Sequence, residues 1–432
     1  MRRDEFHLAK TPLTRPGPRG TLSPRERASL FLGFPASHGL RRISVNLRID
    51  FSGPRRYHSA MSRPWPKGEL EDWEVLRKFL PEGWEEQAWL CGAMRRARYI
   101  KSPEIVLRIL LLHLANGCSL TETATRAQAS GLGAISSVGV FKRLRAAGPW
   151  LSWLAQQERG AAALPLGTVG RRVRAVDATT VSEPGSTGGD WRVHYAVNLA
   201  DLQCDFFQLT EIRQSGETFR RAPVKKGDIM LGDRVYAAPP GVAHVLGSGG
   251  DVIVRLNRQA LPLYDSRHRR LDLAARMRRL PGHCPAEYPS WVKGPQGEWI
   301  AGRLVALRQS SEVTRWWRKR MLRRAQRNQQ AVSPLSLELA EYFMLWTSLK
   351  QLGAAEVLEL YRLRWQIELV FKRMKSILGL GHLPKKDPLS AQAWLAGKLF
   401  VGLLTERMVD AAASFFPWGY PLAAAPQPVA GN

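Results

Sequence analysis

Between residues 171 and 256 the chain abandons helical spacing and alternates apolar and polar positions with a period of two, which commits this stretch to a sheet. Segments 172–181, 191–199 and 204–212 read as three consecutive strands with turn residues between them. Segments 228–236 and 251–257 read as two more, separated by a short stretch of helical character at 237–246. Three strands in succession, followed by strand and helix in alternation, predict an α/β core over 170–257.

The flanks have other patterns. Residues 1–62 are rich in Arg, Pro and Ser and show no sustained period. They read as a basic, disordered extension, as an arm on DNA, or as upstream sequence read into the frame with Met61 as the start. Residues 63–160 turn helical. Ser102 and Pro103 open a helix whose apolar stripe runs through Ile105, Val106, Ile109, Leu110 and His113, with Gly117 at its end. Ser119 and Glu122 have capping-box spacing for the next helix. A third helix is predicted over 137–145 and carries Lys142, Arg143 and Arg145. A pair of short helices with a basic second member has the form of a helix-turn-helix on DNA, although many small helical domains look the same. Residues 258–350 interrupt the core as a β-rich insertion, with strands expected at 298–308 and 342–349 and a strongly basic helix at 314–327. Residues 351–410 resume the core, and 411–432 form a tail.

Charge narrows the partners. With 64 Lys and Arg against 37 Asp and Glu, the formal net charge is +27, which a polyanion would neutralise. Double-stranded DNA is the leading candidate, because each phosphate neutralised by Lys or Arg releases condensed counterions. Arg outnumbers Lys, which suits bidentate phosphate contacts and equally follows from GC-rich coding sequence. Cys91, Cys118, Cys204 and Cys284 form no metal-binding spacing and read as reduced core thiols. The longest apolar run, 105–115, is about half of a bilayer span, and no secretory signal core is present, so a cytoplasmic protein is expected, at the nucleoid when bound to DNA.

Three carboxylates are candidates for chemistry. Asp177 sits inside an apolar strand, where an unpaired charge is costly unless it is paired or holds a metal. Asp233 lies at the end of another apolar strand. Glu368 lies on a helix predicted over 354–378, where Tyr361, Arg364, Glu368 and Lys375 fall within an arc of roughly 60° at 100° per residue. Leu360, Leu363, Ile367, Val370, Met374 and Leu378 form the neighbouring apolar face. Each Asp alone also fits a turn or cap, and Arg364–Glu368 alone also fits an i,i+4 pair on a solvated helix face. Taken together, carboxylates at the ends of adjacent strands plus one from a packed helix make an oxygen-only site suited to Mg²⁺ or Mn²⁺.

The run Tyr361-x2-Arg364-x3-Glu368-x6-Lys375 resembles the Y-R-E-K signature of DDE transposases of the fourth insertion-sequence family. Residues 227–236 resemble that family's second-Asp motif, 174–180 its first, and 346–349 the strand closing its insertion domain. The resemblance spans roughly residues 70–420. It implies a ribonuclease-H-like catalytic core interrupted by a β-rich insertion and preceded by a helical DNA-binding domain. It implies Asp177, Asp233 and Glu368 as the metal-binding catalytic triad for Mg²⁺ or Mn²⁺, with Tyr361, Arg364 and Lys375 holding DNA phosphates. Lys142, Arg143 and Arg145 are further DNA-binding candidates from the helical domain. In similar enzymes the insertion supports a hairpin intermediate and an aromatic stacked on a flipped base. Phe343, Trp316, Trp317 and Trp346 compete for that place here. Arg234 follows the second Asp and reads as a DNA contact or a strand-end salt bridge.

The expected function is DNA transposition: metal-dependent cleavage and strand transfer at terminal inverted repeats, by a homodimer on DNA. The alternative is an inactive or truncated remnant that only binds DNA. That alternative draws on the ending, where one helix over 394–408 leads into Phe415–Tyr420 and an Ala/Pro tail, a departure from the family's longer helical C-terminus.

Overall fold

In the computed structural model, the described residues are 68–414 without 96–99, 160–165, 168, 215, 281 and 382. The expectations for residues 1–62 and for the tail beyond 414 lie outside them. The described residues form two compact units, 308–343 and the remainder.

The larger unit begins with six helices: α1 (Gly68–Arg77), α2 (Trp84–Leu90), α3 (Pro103–Leu114), α4 (Leu120–Ala129), α5 (Ser137–Ala146) and α6 (Gly148–Gln157). Their starts are written in the sequence. The hydroxyls of Ser102, Ser119 and Ser136 each accept from the backbone N–H three residues on, at 3.3, 3.1 and 3.1 Å. Only half of the predicted capping box forms, because the Glu122 carboxylate turns to Arg126 at 2.7 Å. Helix α3 stops at Leu114, before Gly117, and His113 is drawn inward to the Cys118 carbonyl at 2.6 Å. Trp84 stacks on Trp150, whose indole N–H donates to the Trp84 carbonyl at 2.9 Å.

The sheet follows: β1 (Val173–Val181), β2 (Trp191–Asn198), β3 (Cys204–Glu211), β4 (Ile229–Gly232), helix α7 (Pro239–Gly247) and β5 (Asp251–Arg255). The first three strands are antiparallel neighbours, while β4 is parallel to β1 and β5 to β4. Strand β4 is shorter than predicted. Asp233 accepts the Val235 N–H at 2.8 Å, a local turn that ends the strand before the carboxylate. Two charges buried with this sheet are paired: Arg174 grips Asp205 through two bonds of 2.7 and 2.6 Å, and Arg172 pairs with Asp228.

The inserted segment supplies α8 (Leu273–Arg278), β6 (Ala286–Lys293), β7 (Trp299–Arg308), α9 (Ser311–Arg327), α10 (Pro334–Leu339) and β8 (Tyr342–Thr347). Its strands extend the core sheet, giving the order β3-β2-β1-β4-β5-β8-β7-β6. Residues 345–347 of β8 pair antiparallel with β5. Strand β6 is not among the strands expected in the insertion; it contains Pro289, and as the last strand of the sheet it tolerates the missing donor.

Helices α11 (Ala354–Arg362), α12 (Trp365–Ser376) and α13 (Pro388–Ser414) complete the chain. The single helix predicted over 354–378 is two. Around the break, Arg364, Gln366 and Ile367 donate to carbonyls three residues back at 3.1, 3.0 and 3.2 Å, a tightened 3₁₀-like turn. That turn swings Leu363 out of the expected apolar face to 36% exposure, while Leu360, Ile367, Val370 and Met374 stay buried. Helix α13, longer than the expected 394–408, packs on α6, α5 and α3. Gly397 lets α13 approach α3 closely, since a Cβ there would lie 2.5 Å from Leu114 Cδ1. Of the cysteines, Cys118 and Cys204 are buried, but Cys91 is only half-buried and Cys284 is exposed, in the loop before β6. No helix among the described residues is long and apolar enough to cross a membrane.

Candidate active site

Strands β1, β4 and β5 run parallel, so their C-terminal ends open on one edge of the sheet. Val173, Arg174 and Ala175 sit opposite Ile229, Met230 and Leu231, and Gly232 opposite Val254. Asp233 follows β4 at this edge, and its charge raises the carboxyl of Asp177 on the neighbouring β1, so the two carboxylates repel. Helix α12 crosses this edge over β1 and β2, where Phe371 meets Tyr195 edge-on with ring centroids 5.9 Å apart.

Arg364 organises the site from the junction of α11 and α12. Its guanidinium reaches the Glu368 carboxylate at 2.5 Å and Asp177 Oδ2 at 3.5 Å, bridging helix and strand. Burial opposes its charge, but Tyr361, Glu368 and Asp177 together hold it protonated. Burial pushes Asp177 up to about 7. The Arg364 charge and the Ala178 N–H work against that rise, and the Asp233 and Glu217 charges add to it. The edge therefore holds more negative charge than one guanidinium offsets.

The signature residues part company here. Tyr361 is buried, and its hydroxyl donates to the Gly232 carbonyl at 3.2 Å, tying α11 to the end of β4. Lys375 is exposed, two turns beyond Glu368 on α12. On α5, Lys142 and Arg145 point outward, with Arg145 3.5 Å from Asp387, while Arg143 turns inward to the Ala93 carbonyl at 3.3 Å. Trp346 and Phe343 are buried in the core, whereas Trp316 and Trp317 on α9 are half-exposed.

Two residues were missed. Glu217 is half-buried, 3.4 Å from Arg192, and its carboxyl is raised by burial and by the charge of Asp233. Arg255, at the end of β5, is held down to about 10 by burial and by the charges of Arg234 and Arg364. Glu217 stands in an irregular loop that gives no periodic signal. Arg255 could have been found, because it ends an apolar strand as Asp233 follows one.

The donor set, half-buried and oxygen-only, is suited to a hard divalent cation. Among the described residues no group of three carboxylates, imidazoles or thiols stands close enough to hold an ion. The Arg364 guanidinium lies between Asp177 and Glu368.

Residues 168–404 match the family described as the Transposase DDE domain. The chain is 32% identical over 358 residues to transposase InsL for insertion sequence element IS186A of Escherichia coli (strain K12), covering 80% of this chain and 96% of that protein. It is also 32% identical over 359 residues to the transposase for insertion sequence element IS421 of Escherichia coli, with the same coverage. A five-stranded core in the order β3-β2-β1-β4-β5, with helices packed on it, is the ribonuclease-H-like fold that this family implies. The chain belongs to the DDE transposases, of the kind encoded by the fourth insertion-sequence family.

Proposed function

We propose that this DNA transposase cuts the phosphodiester at the ends of its element at the edge formed by β1, β4 and α12. Asp177, Asp233 and Glu368 would hold Mg²⁺ or Mn²⁺. The observation that carries this reading is the Arg364 bridge, which brings the carboxylates of strand β1 and helix α12 to one cation. A bound divalent ion supplies charge for the developing oxyanions and a more acidic water.

The chain's own residues do the rest. Glu368 would hold the ion in place of its guanidinium partner, leaving Arg364 for a DNA phosphate, for which its planar fork is matched. Asp177 would hold it as the ionised carboxylate, because ligands must be ionised. Tyr361 positions the Asp233 turn through Gly232, and Lys375 extends positive charge along the strand to be cut. Arg234 and Arg255 add positive charge beside Asp233. In hydrolysis a water oxygen bonds to phosphorus, the P–O3′ bond breaks, and the freed 3′-oxygen takes up a proton. In strand transfer that 3′-hydroxyl attacks a target phosphodiester and displaces the target's own 3′-oxygen. Lys142 and Arg145, outward on α5, would grip the terminal inverted repeat, and two copies would pair two ends as a homodimer.

The test is single substitution. Asp177→Asn, Asp233→Asn and Glu368→Gln should each lower nicking of an inverted-repeat duplex by about 10³-fold or more, since removing charge stabilisation acts on the transition state. Gel-shift affinity for the same duplex should stay within a few-fold. Nicking that survives Glu368→Gln would place the chemistry elsewhere.

A further inference from the structure

The smaller unit carries a helix whose charge the cutting site does not use. In α9, 17 residues hold Glu312 as the sole acid and Arg315, Arg318, Lys319, Arg320, Arg323, Arg324 and Arg327 as bases. Arg318 is structural: its Nε donates to the Leu337 carbonyl at 2.9 Å, and its Nη2 lies 3.5 Å from Glu341. Among the described residues it is the one base of the helix with an acidic partner.

The remaining bases share a face. At 100° per residue, Arg315, Lys319, Arg323, Arg327 and Arg320 fall within an arc of about 140°, which also holds Glu312, and Arg324 lies about 40° beyond it. All six are exposed, and Trp316 lies within the same arc. The opposite arc carries Thr314, Trp317, Arg318, Met321 and Ala325, which are buried or half-buried. The helix is thus anchored by one side and presents the other. Like charges four residues apart, such as Arg315 with Lys319 and Lys319 with Arg323, oppose a helix unless a polyanion faces them. Arg320 is already oriented, its guanidinium 5.2 Å from the Trp316 ring and 5.6 Å from that of Trp317.

Resting on the DNA-cutting role above, we propose that the exposed face of α9 is a second DNA-binding surface that lies along a duplex backbone. At about 1.5 Å per residue the helix is roughly 25 Å long, and its basic rows repeat about every 6 Å. Five of the six bases are Arg, which binds phosphate through two parallel bonds. An anionic membrane is the weaker partner, because the side opposite the bases is turned into the protein, leaving Leu322 as the exposed large apolar residue of the helix.

The experiment is a salt titration of duplex binding by the full chain, wild type against Arg315→Gln/Lys319→Gln/Arg323→Gln, a triple variant that keeps good helix formers. Each phosphate contact contributes a slope of about −0.9 in log K against log salt, so the triple variant should have a slope shallower by about 2.7. Single variants should each shift it by about 0.9. Circular dichroism and wild-type nicking run alongside. A variant that is folded by dichroism and keeps the wild-type slope overturns the assignment while leaving the cutting site standing. If wild type neither binds nor nicks the duplex, both readings fall. Retention of the DNA slope with lost binding to anionic phosphatidylserine vesicles overturns it in favour of a membrane.

Discussion

Asp177 and Arg364 share a conflict of charge. Asp177 is buried beside Asp233 and Glu217, and Arg364 meets both it and Glu368. With its folded value raised to about 7, Asp177 keeps a proton that the unfolded chain releases near its ordinary value of 3.8. Without metal, the folded state binds more protons between these values, so this group's contribution to stability is fullest below about 4. It is lost as pH rises toward 7, by up to about 4 kcal/mol. A divalent ion reverses the preference, since it needs the carboxylate ionised. Mn²⁺ affinity measured by calorimetry should therefore rise about tenfold per pH unit below 7 and level off above it. In Asp177→Asn the residual affinity should be weak and flat over the same range. An affinity independent of pH in the wild type would show that Asp177 does not take part.

At the scale of elements, much of the fold was legible because its signals are local. The period-two strands β1, β2 and β3, the serine caps of α3 and α4, and the resumed helical pattern after residue 350 all read from spacing alone, whereas the Ser136 cap of α5 was not read. The helix carrying the signature misled, because a 100° step assumes an unbroken α-helix. The tightened turn at Leu363 and Arg364 turns Tyr361 inward and exposes Leu363, and no proline or glycine marks it. That Asp177 stands in a strand and Glu368 on a helix was legible. Glu217 was not, since its place follows from a loop that only tertiary packing fixes. The close approach of β7 and β8 was equally hidden. A Cβ on Gly302 would lie 2.7 Å from the Thr347 carbonyl and collide with the Trp346 ring. Gly302→Val should accordingly lower stability by about 1–3 kcal/mol in urea unfolding. A variant as stable as wild type would mean the two strands are not packed this tightly.

Across the described residues, one eight-stranded sheet carries both the edge proposed for cutting and the strands contributed by the insertion, and α13 packs on the N-terminal helices. The formal net charge of +27 suits a polyanionic partner. If the carboxylates of the proposed site hold a cation, positioning and charge would supply most of the phosphoryl-transfer catalysis. The most direct measurement incubates the purified chain with a duplex joining its element's terminal repeat to flanking DNA, with Mg²⁺ or Mn²⁺, and maps the strand ends. The account predicts a break at the junction that leaves a 3′-hydroxyl on the element, appears only with the ion, and is absent with Glu368→Gln. A duplex that is bound but stays intact with either ion would contradict it.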